Sequence, residues 1–312
     1  MNTRLIFVHA RSPLHAGTGQ GMGVIDLPIA REKATGLPYL PGSSLKGTLR
    51  DEFNGSPGLD ANDEFNEQRK LNLRDKIFGP EKDNASDFAG AIQFTDQTLL
   101  LLPVRSLAGT FAWVTSPYIL RRLKRDATDA SATGVPPNIP APKDVEHCAV
   151  SSSTLVVQSI NKVCLEDLDL KTDDGQSGHV KSWADWLKDR IFPTGSAWQM
   201  MLTERLCVVH DDALSFILNT ATEITARIKL KDDAKTVEKG GLWYEEALPT
   251  ETVLFGLALA FPNRKTEMTP SEIFSTIQPK IQKALQLGGK ATVGRGICRV
   301  NMSNGTSNGG SN

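Results

Sequence analysis

The sequence predicts an α+β protein built on one interrupted sheet with helices on one side, and three observations carry that prediction. Apolar, strand-sized runs stand near both ends of the chain, Leu5-Ile6-Phe7-Val8 and Val253 to Phe261, the latter alternating large with small side chains as a strand buried on both faces does. Two helix patterns with start signals follow strand patterns, one near 43–54 and one opening at Thr269. Between them lie polar stretches broken by Gly and Pro, which read as insertions rather than core. A chain of 312 residues can bury a substantial core as one large domain with such insertions.

Residues 4–10 are apolar throughout and fit a central strand. Gly17, Gly19, Gly21 and Gly23 then alternate with small or polar residues. Glycine loses the most entropy in a regular element and offers nothing to bury, so this run is a loop whose backbone approaches something closely. Asp26 follows an apolar pair and precedes Pro28; read alone, it caps a turn. Pro41-Gly42 is a turn, Ser43 or Ser44 can cap, and Leu45, Leu49 and Phe53 form one apolar stripe. Lys46 and Arg50 share another face of that helix. Together with its N-terminal amides they form a phosphate site or, on the plainer reading, a solvated basic face. Gly47 stands where Ala is the better helix former, which suggests a close contact.

Residues 54–89 turn polar around Gly55-Ser56-Pro57-Gly58 and read as a partly helical lid. Ala91 to Thr95 and Thr110 to Thr115 are strands, with Leu99 to Val104 between them. Ser116-Pro117 opens a helix into Arg121-Arg122-Leu123-Lys124-Arg125, a solvated face with RNA contact as the second reading. Residues 126–145 form a loop, Thr154 to Ile160 a strand, and Trp183, Trp186 and Leu187 the core stripe of a helix. His210-Asp211-Asp212 reads as a turn and helix cap in preference to metal ligands. Residues 227–254 form a projecting hairpin with breaks at Asp232-Asp233 and Lys239-Gly240-Gly241. Thr269-Pro270-Ser271-Glu272 is a capping box, Ile273, Ile277, Ile281 and Leu285 its buried stripe, Pro279 a kink, and Gly288-Gly289 the helix end. In the run Gly288 to Arg295, small residues let amides reach phosphates while Lys290 and Arg295 add charge. Neither this run nor Gly42 to Thr48 fits GxxxxGK[ST], which argues against a nucleotide-hydrolysing loop. Ile297 to Val300 is the last strand, and the low-complexity tail 303–312 is expected to be disordered.

The net charge is −1, so any nucleic-acid groove must be a local patch on a neutral molecule. Cys148, Cys164, Cys207 and Cys298 show no metal spacing and read as reduced thiols of a cytoplasmic protein. No apolar run reaches membrane-spanning length, and the N-terminus lacks a signal-peptide pattern.

The segment HAGTGQGMGVID (15–26) followed by LPIAREKATGLPYLPGSSLKGTLR (27–50) resembles the opening of RAMP-type backbone subunits of type III-B (Cmr) CRISPR effector complexes. The likeness continues through 90–117, 226–255 and 287–300. It implies a single domain, 1–302, with a ferredoxin-like, RRM-derived palm, helical lid insertions at 54–89 and 118–200, and a β-hairpin thumb at 227–254. The implied partners are CRISPR RNA, target RNA, copies of the chain in a filament and other Cmr-type subunits. The implied activity is metal-dependent cutting of target RNA at regular intervals, with Mg or Mn. The physical logic is that A-form stacking keeps a 2′-OH from lining up with its own phosphate, whereas a splayed nucleotide can reach that geometry.

Asp26 matches the cleavage aspartate of these proteins, as metal ligand or as general base. His15 could assist as acid or base, or be a loop histidine bonded to backbone. Of the adjacent acids at the thumb's return, Glu245 is the one implied to approach the cut, although Ala247 stands where the family often has an aromatic. Ser43, Ser44, Lys46 and Arg50 on one side, and Gly289, Lys290, Thr292, Gly294 and Arg295 on the other, are the implied RNA contacts. Lys46, Arg50, Lys290 and Arg295 are expected to line one groove. The alternatives are a non-catalytic RNA-binding scaffold and, more weakly, an enzyme maturing CRISPR RNA.

Overall fold

The structure is a computed structural model that describes residues 2–18, 25–54, 73–80, 89–231, 236–262 and 268–303. Strand β1 (Asn2–Ala10) is buried without interruption from Leu5 to Ala10. Its side chains alternate between two covered faces: the Arg4 guanidinium lies 4.4 Å from the Phe274 ring centre, while His9 meets Phe192 at 5.1 Å. After β1 come β2 (Tyr39–Leu40), α1 (Gly42–Asp51) and α2 (Leu73–Phe78). Leu45 and Leu49 are the buried stripe of α1, and Gly42 is packed so tightly that a Cβ would strike the Phe94 carbonyl.

Next in the chain are β3 (Ile92–Phe94), β4 (Gln97–Arg105), β5 (Phe111–Thr115), α3 (Pro117–Asp129), β6 (His147–Val150), β7 (Lys162–Leu165), β8 (Leu168–Thr172), α4 (Ser177–Ile191), α5 (Ala197–Arg205) and β9 (Leu206–Val209). The chain closes with α6 (Asp211–Thr220), β10 (Glu223–Leu230), β11 (Val237–Ala247), β12 (Val253–Ala260), α7 (Pro270–Ile281), β13 (Ala284–Gln286) and β14 (Ile297–Met302). The main sheet runs β13-β14-β1-β12-β4-β5-β9-β6-β8-β7, with β2 added to β4 and β3 to β12. Around β1 the neighbours are antiparallel, with Leu5 opposite Leu257 and Val8 opposite Val300. β10 and β11 pair with each other in a separate ladder that places Ile224 opposite Glu246 and Ile228 opposite Leu242.

Helices cover both faces of the sheet, not the single side expected from the sequence. The reason is α4, which buries Trp183 and Leu187 and packs on β1, β6, β9 and β14, so the stretch between β5 and β9 contributes core as well as surface. Residues 153–155 form one 3₁₀ turn instead of a strand, because the Ser152 hydroxyl accepts the Thr154 N–H and offers the backbone a local partner. The capping box at Thr269 is complete, but α7 ends at Ile281. Leu285 belongs to β13, paired with Cys298 of β14, and the glycine pair lies beyond that strand. The hairpin ladder begins at Glu223 and ends at Ala247, and β12 starts at Val253. The breaks at Asp232-Asp233, most of 54–89, the glycines at 19, 21 and 23, and residues 304–312 of the tail lie outside the described residues.

Candidate active site

Four chain segments lie side by side at the base of the hairpin, two from near the N-terminus and two from the last third of the chain. Residues 16–18 run antiparallel to 28–30, through Ala30 N–H to the Ala16 carbonyl and Thr18 N–H to the Pro28 carbonyl. On its other side, Leu27 bridges Glu245 in parallel: its N–H donates to the Tyr244 carbonyl at 3.1 Å, and its carbonyl accepts the Glu246 N–H at 3.0 Å. The fourth segment joins through Gly289 N–H to the His15 carbonyl at 2.8 Å.

This stitching fixes Asp26. Its carboxylate is exposed; Oδ2 accepts the Tyr244 N–H at 2.8 Å, and Oδ1 has no partner among the described residues. Asp26 therefore binds an edge N–H of strand β11 rather than capping its own turn. His15 is buried, and its Nδ1 lies 2.6 Å from the Glu246 carbonyl. A carbonyl only accepts, so Nδ1 carries a proton, and the tautomer this selects for a neutral ring has its lone pair on Nε2. A Cβ at Gly17 would stand 2.7 Å from that Nε2, so the imidazole has its room only because residue 17 is glycine. His15, Gly17, Leu27, Ser44, Thr48, Gly289 and Lys290 line a groove of about 470 Å³. A larger cavity, about 720 Å³, lies elsewhere, between Arg190, Phe192, Gln282 and Arg299, and holds none of the predicted site residues.

Glu245 faces inward, away from the groove. It is 2 % exposed, with Oε1 2.8 Å from Lys290 Nζ and 2.9 Å from Trp243 Nε1, and Oε2 at 3.5 Å from Arg227 and 3.6 Å from Arg295. Burial alone would raise its pKa, but the Lys290 and Trp243 hydrogen bonds and the charges of Lys290 and Arg295 hold it down to about 2. Lys290 reaches this carboxylate from a left-handed backbone conformation, φ 66°.

The four expected groove cations are not brought together. Lys290 lines the groove and Arg295 is buried against Glu245. Lys46 and Arg50 sit two residues along α1 from Ser44 and Thr48, on the opposite side of the helix. Burial first, and then the neighbouring Arg50 charge, lower the Lys46 ammonium below its ordinary range. Arg50 lies 3.9 Å from Asp75. Ser43, Thr292 and Gly294 are exposed, Ser43 on the first turn of α1 and the other two at a turn spanning Ala291–Val293. The basic run of α3 is engaged internally: Arg121 with Asp211, Arg122 with Glu32, Lys124 with the Pro137 carbonyl and Arg125 with Asp126. His210 caps α6 by accepting the Asp212 N–H. Of the two adjacent acids the sequence reading favoured Glu245 over Glu246, whose carboxylate binds Ile29 N–H at 3.0 Å and Arg31 at 2.7 Å. Strand alternation was the available signal, since two adjacent acids on one strand must face opposite sides.

An exposed aspartate thus stands at the root of a two-stranded hairpin on an α+β sheet, beside a groove whose glycine backbone and lysine suit the phosphates of a polyanion. Residues 7–299 match the RAMP superfamily, and the chain belongs to it. Within that superfamily its relatives are Cmr4 proteins. It is 35% identical over 311 residues to the CRISPR system Cmr endoribonuclease Cmr4 of Pyrococcus furiosus, covering 99% of each chain. It is 26% identical over 318 residues to the CRISPR system CMR subunit Cmr4 of Saccharolobus solfataricus, covering 96% of each. The crystal structure of oligomeric Cmr4 from Pyrococcus furiosus superposes with a TM-score of 0.72 at 29% identity, covering 97% of this chain and 98% of that one.

Proposed function

We propose that this chain is the backbone subunit of a type III-B CRISPR ribonucleoprotein, assembling with copies of itself and other Cmr-type subunits along CRISPR RNA and cutting the paired target RNA. On this reading the palm is ferredoxin-like, supported by the order β14-β1-β12-β4 with α1 after β1 and α7 after β12. The hairpin of β10 and β11 is its thumb, and lids arise from the insertions at 54–89 and 118–200. The reading places the complex in the cytoplasm, where the four buried free thiols stay reduced.

Asp26 carries the proposal as the main catalytic residue. A carboxylate anchored through one oxygen, with the other facing solvent at the hairpin root, is available to a 2′-OH or a hydrated cation. His15 presents Nε2 from the groove wall as a second proton acceptor or donor. Ser43, Ser44, Lys46, Arg50 and the 289–295 turn would follow the RNA backbone on either side. Among the described residues no group of three or more His, Cys, Asp or Glu side chains is placed to hold a metal ion, so Asp26 is the residue that would hold a Mg²⁺ or Mn²⁺ ion, which would keep most of its water. When bound, it would offset charge developing on the phosphate.

The test is the assembled complex with labelled target RNA, comparing wild type with Asp26→Asn. Asparagine keeps an acceptor for Tyr244 N–H, so folding and target binding should persist while cutting falls at least about 100-fold. A full product ladder from Asp26→Asn would sink the assignment and favour the scaffold alternative.

A further inference from the structure

Leu27 and Glu245 begin a parallel ladder whose next bond is dictated by geometry. After Leu27 N–H to the Tyr244 carbonyl and Glu246 N–H to the Leu27 carbonyl, a regular ladder sends Ile29 N–H to the Glu246 carbonyl. That bond is not made. Ile29 N–H instead donates to Glu246 Oε2 at 3.0 Å, and the vacated carbonyl accepts His15 Nδ1–H at 2.6 Å. Glu246 is 3 % exposed, and its other carboxylate oxygen is held 2.7 Å from Arg31, whose guanidinium also donates to the Gly36 and Leu218 carbonyls. The carboxylate is thus fixed from two sides, and it substitutes for its own backbone carbonyl.

We propose that Glu246 is the positioning residue of the cutting site: by taking over the Ile29 N–H it frees its carbonyl to lock His15 in the Nδ1–H tautomer, with Nε2 as the proton-accepting atom at the groove. The inference rests on the reading of His15 as part of that site. A backbone carbonyl cannot be mutated, and the ladder would otherwise claim it. Only a side-chain acceptor at position 246 releases it, and the same side chain tethers the residues that follow Asp26. Glu245 and Glu246 thus divide two tasks by strand alternation, one holding Lys290 and Arg295 and the other orienting the imidazole.

The experiment reads the tautomer directly. The free chain is labelled with ¹⁵N-histidine, long-range ¹H–¹⁵N correlations are recorded, and the His15 signal among the five histidines is identified with His15→Gln. Wild type should show the Nδ1–H form. Glu246→Ala should lose that signature, because Ile29 N–H reclaims the carbonyl. In the assembled complex the same variant should cut about ten- to a hundred-fold more slowly with unchanged target binding, as expected when a reacting group is misplaced. Glu246→Gln keeps an acceptor for Ile29 and should restore both the tautomer and most of the rate. An Nε2–H signal in wild type overturns the proposal on its own, even if Glu246→Ala does not fold. A retained tautomer in Glu246→Ala also overturns it, as does a lost tautomer with an unchanged cutting rate. The tautomer readout needs no RNA, so it stands apart from the outcome of Asp26→Asn.

Discussion

Replacing Glu245 with Gln should weaken the fold by an amount that depends on pH. The carboxyl is held from 4.5 down to about 2, and at about 1.4 kcal/mol per pKa unit this gap corresponds to about 3 kcal/mol of stability at pH 7. That is an upper figure, because Lys290 and Arg227 are about a third exposed and solvent screens their share. The loss has a second source in the same range: Arg295 is 4 % exposed, and a buried guanidinium left without its carboxylate destabilises by about 3–5 kcal/mol. The two describe one interaction and do not add. The depressed folded pKa means that the stabilisation is fully present above 4.5 and is lost as pH falls toward 2. The gap between wild type and Glu245→Gln should therefore shrink to about 2 kcal/mol at pH 3.5. Urea denaturation of the free chain at pH 7 and pH 3.5 measures both gaps. A gap below about 1 kcal/mol at pH 7, or one that does not change with pH, refutes the assignment of Glu245 as the charge that holds the hairpin root to the 288–296 turn.

Two further outcomes follow from the same geometry. Lys46→Ala with Arg50→Ala should weaken RNA binding alike for all guide sequences and reduce the slope of log affinity against log salt by about 1.4, the release expected for two single-strand phosphate contacts; an unchanged slope places the RNA away from that face of α1. Gly288→Ala should destabilise the chain by about 2 kcal/mol in urea denaturation, because φ is +72° there and a Cβ would meet the His15 carbonyl oxygen; a neutral result would show that the turn can shift without loss.

The sequence alone determined the elements whose signals are local. The Thr269 capping box, the Leu45 and Leu49 stripe and the alternating β12 strand each depend on spacing within one turn or one pleat, and the structure keeps all three. It also held the family resemblance, because those motifs are contiguous. Signals that compete with distant pairing were not legible. Leu285 continues a helical period but lies in β13, since the bonds offered by β14 are made only after the chain returns. The cations show the same limit. Lys46, Arg50, Lys290 and Arg295 look equivalent as residues beside glycines, but a helix turns each residue by about 100° and puts Lys46 opposite Ser44. The tertiary fold then spends Arg295 on Glu245. Which of two adjacent glutamates faces the cations and which faces Ile29 was decided only when β11 met residues 25–31. Alternation fixes that the two diverge, whereas the neighbours on each side come from other segments, Ile29 and Arg31 near the N-terminus for Glu246 and Lys290 and Arg295 near the C-terminus for Glu245.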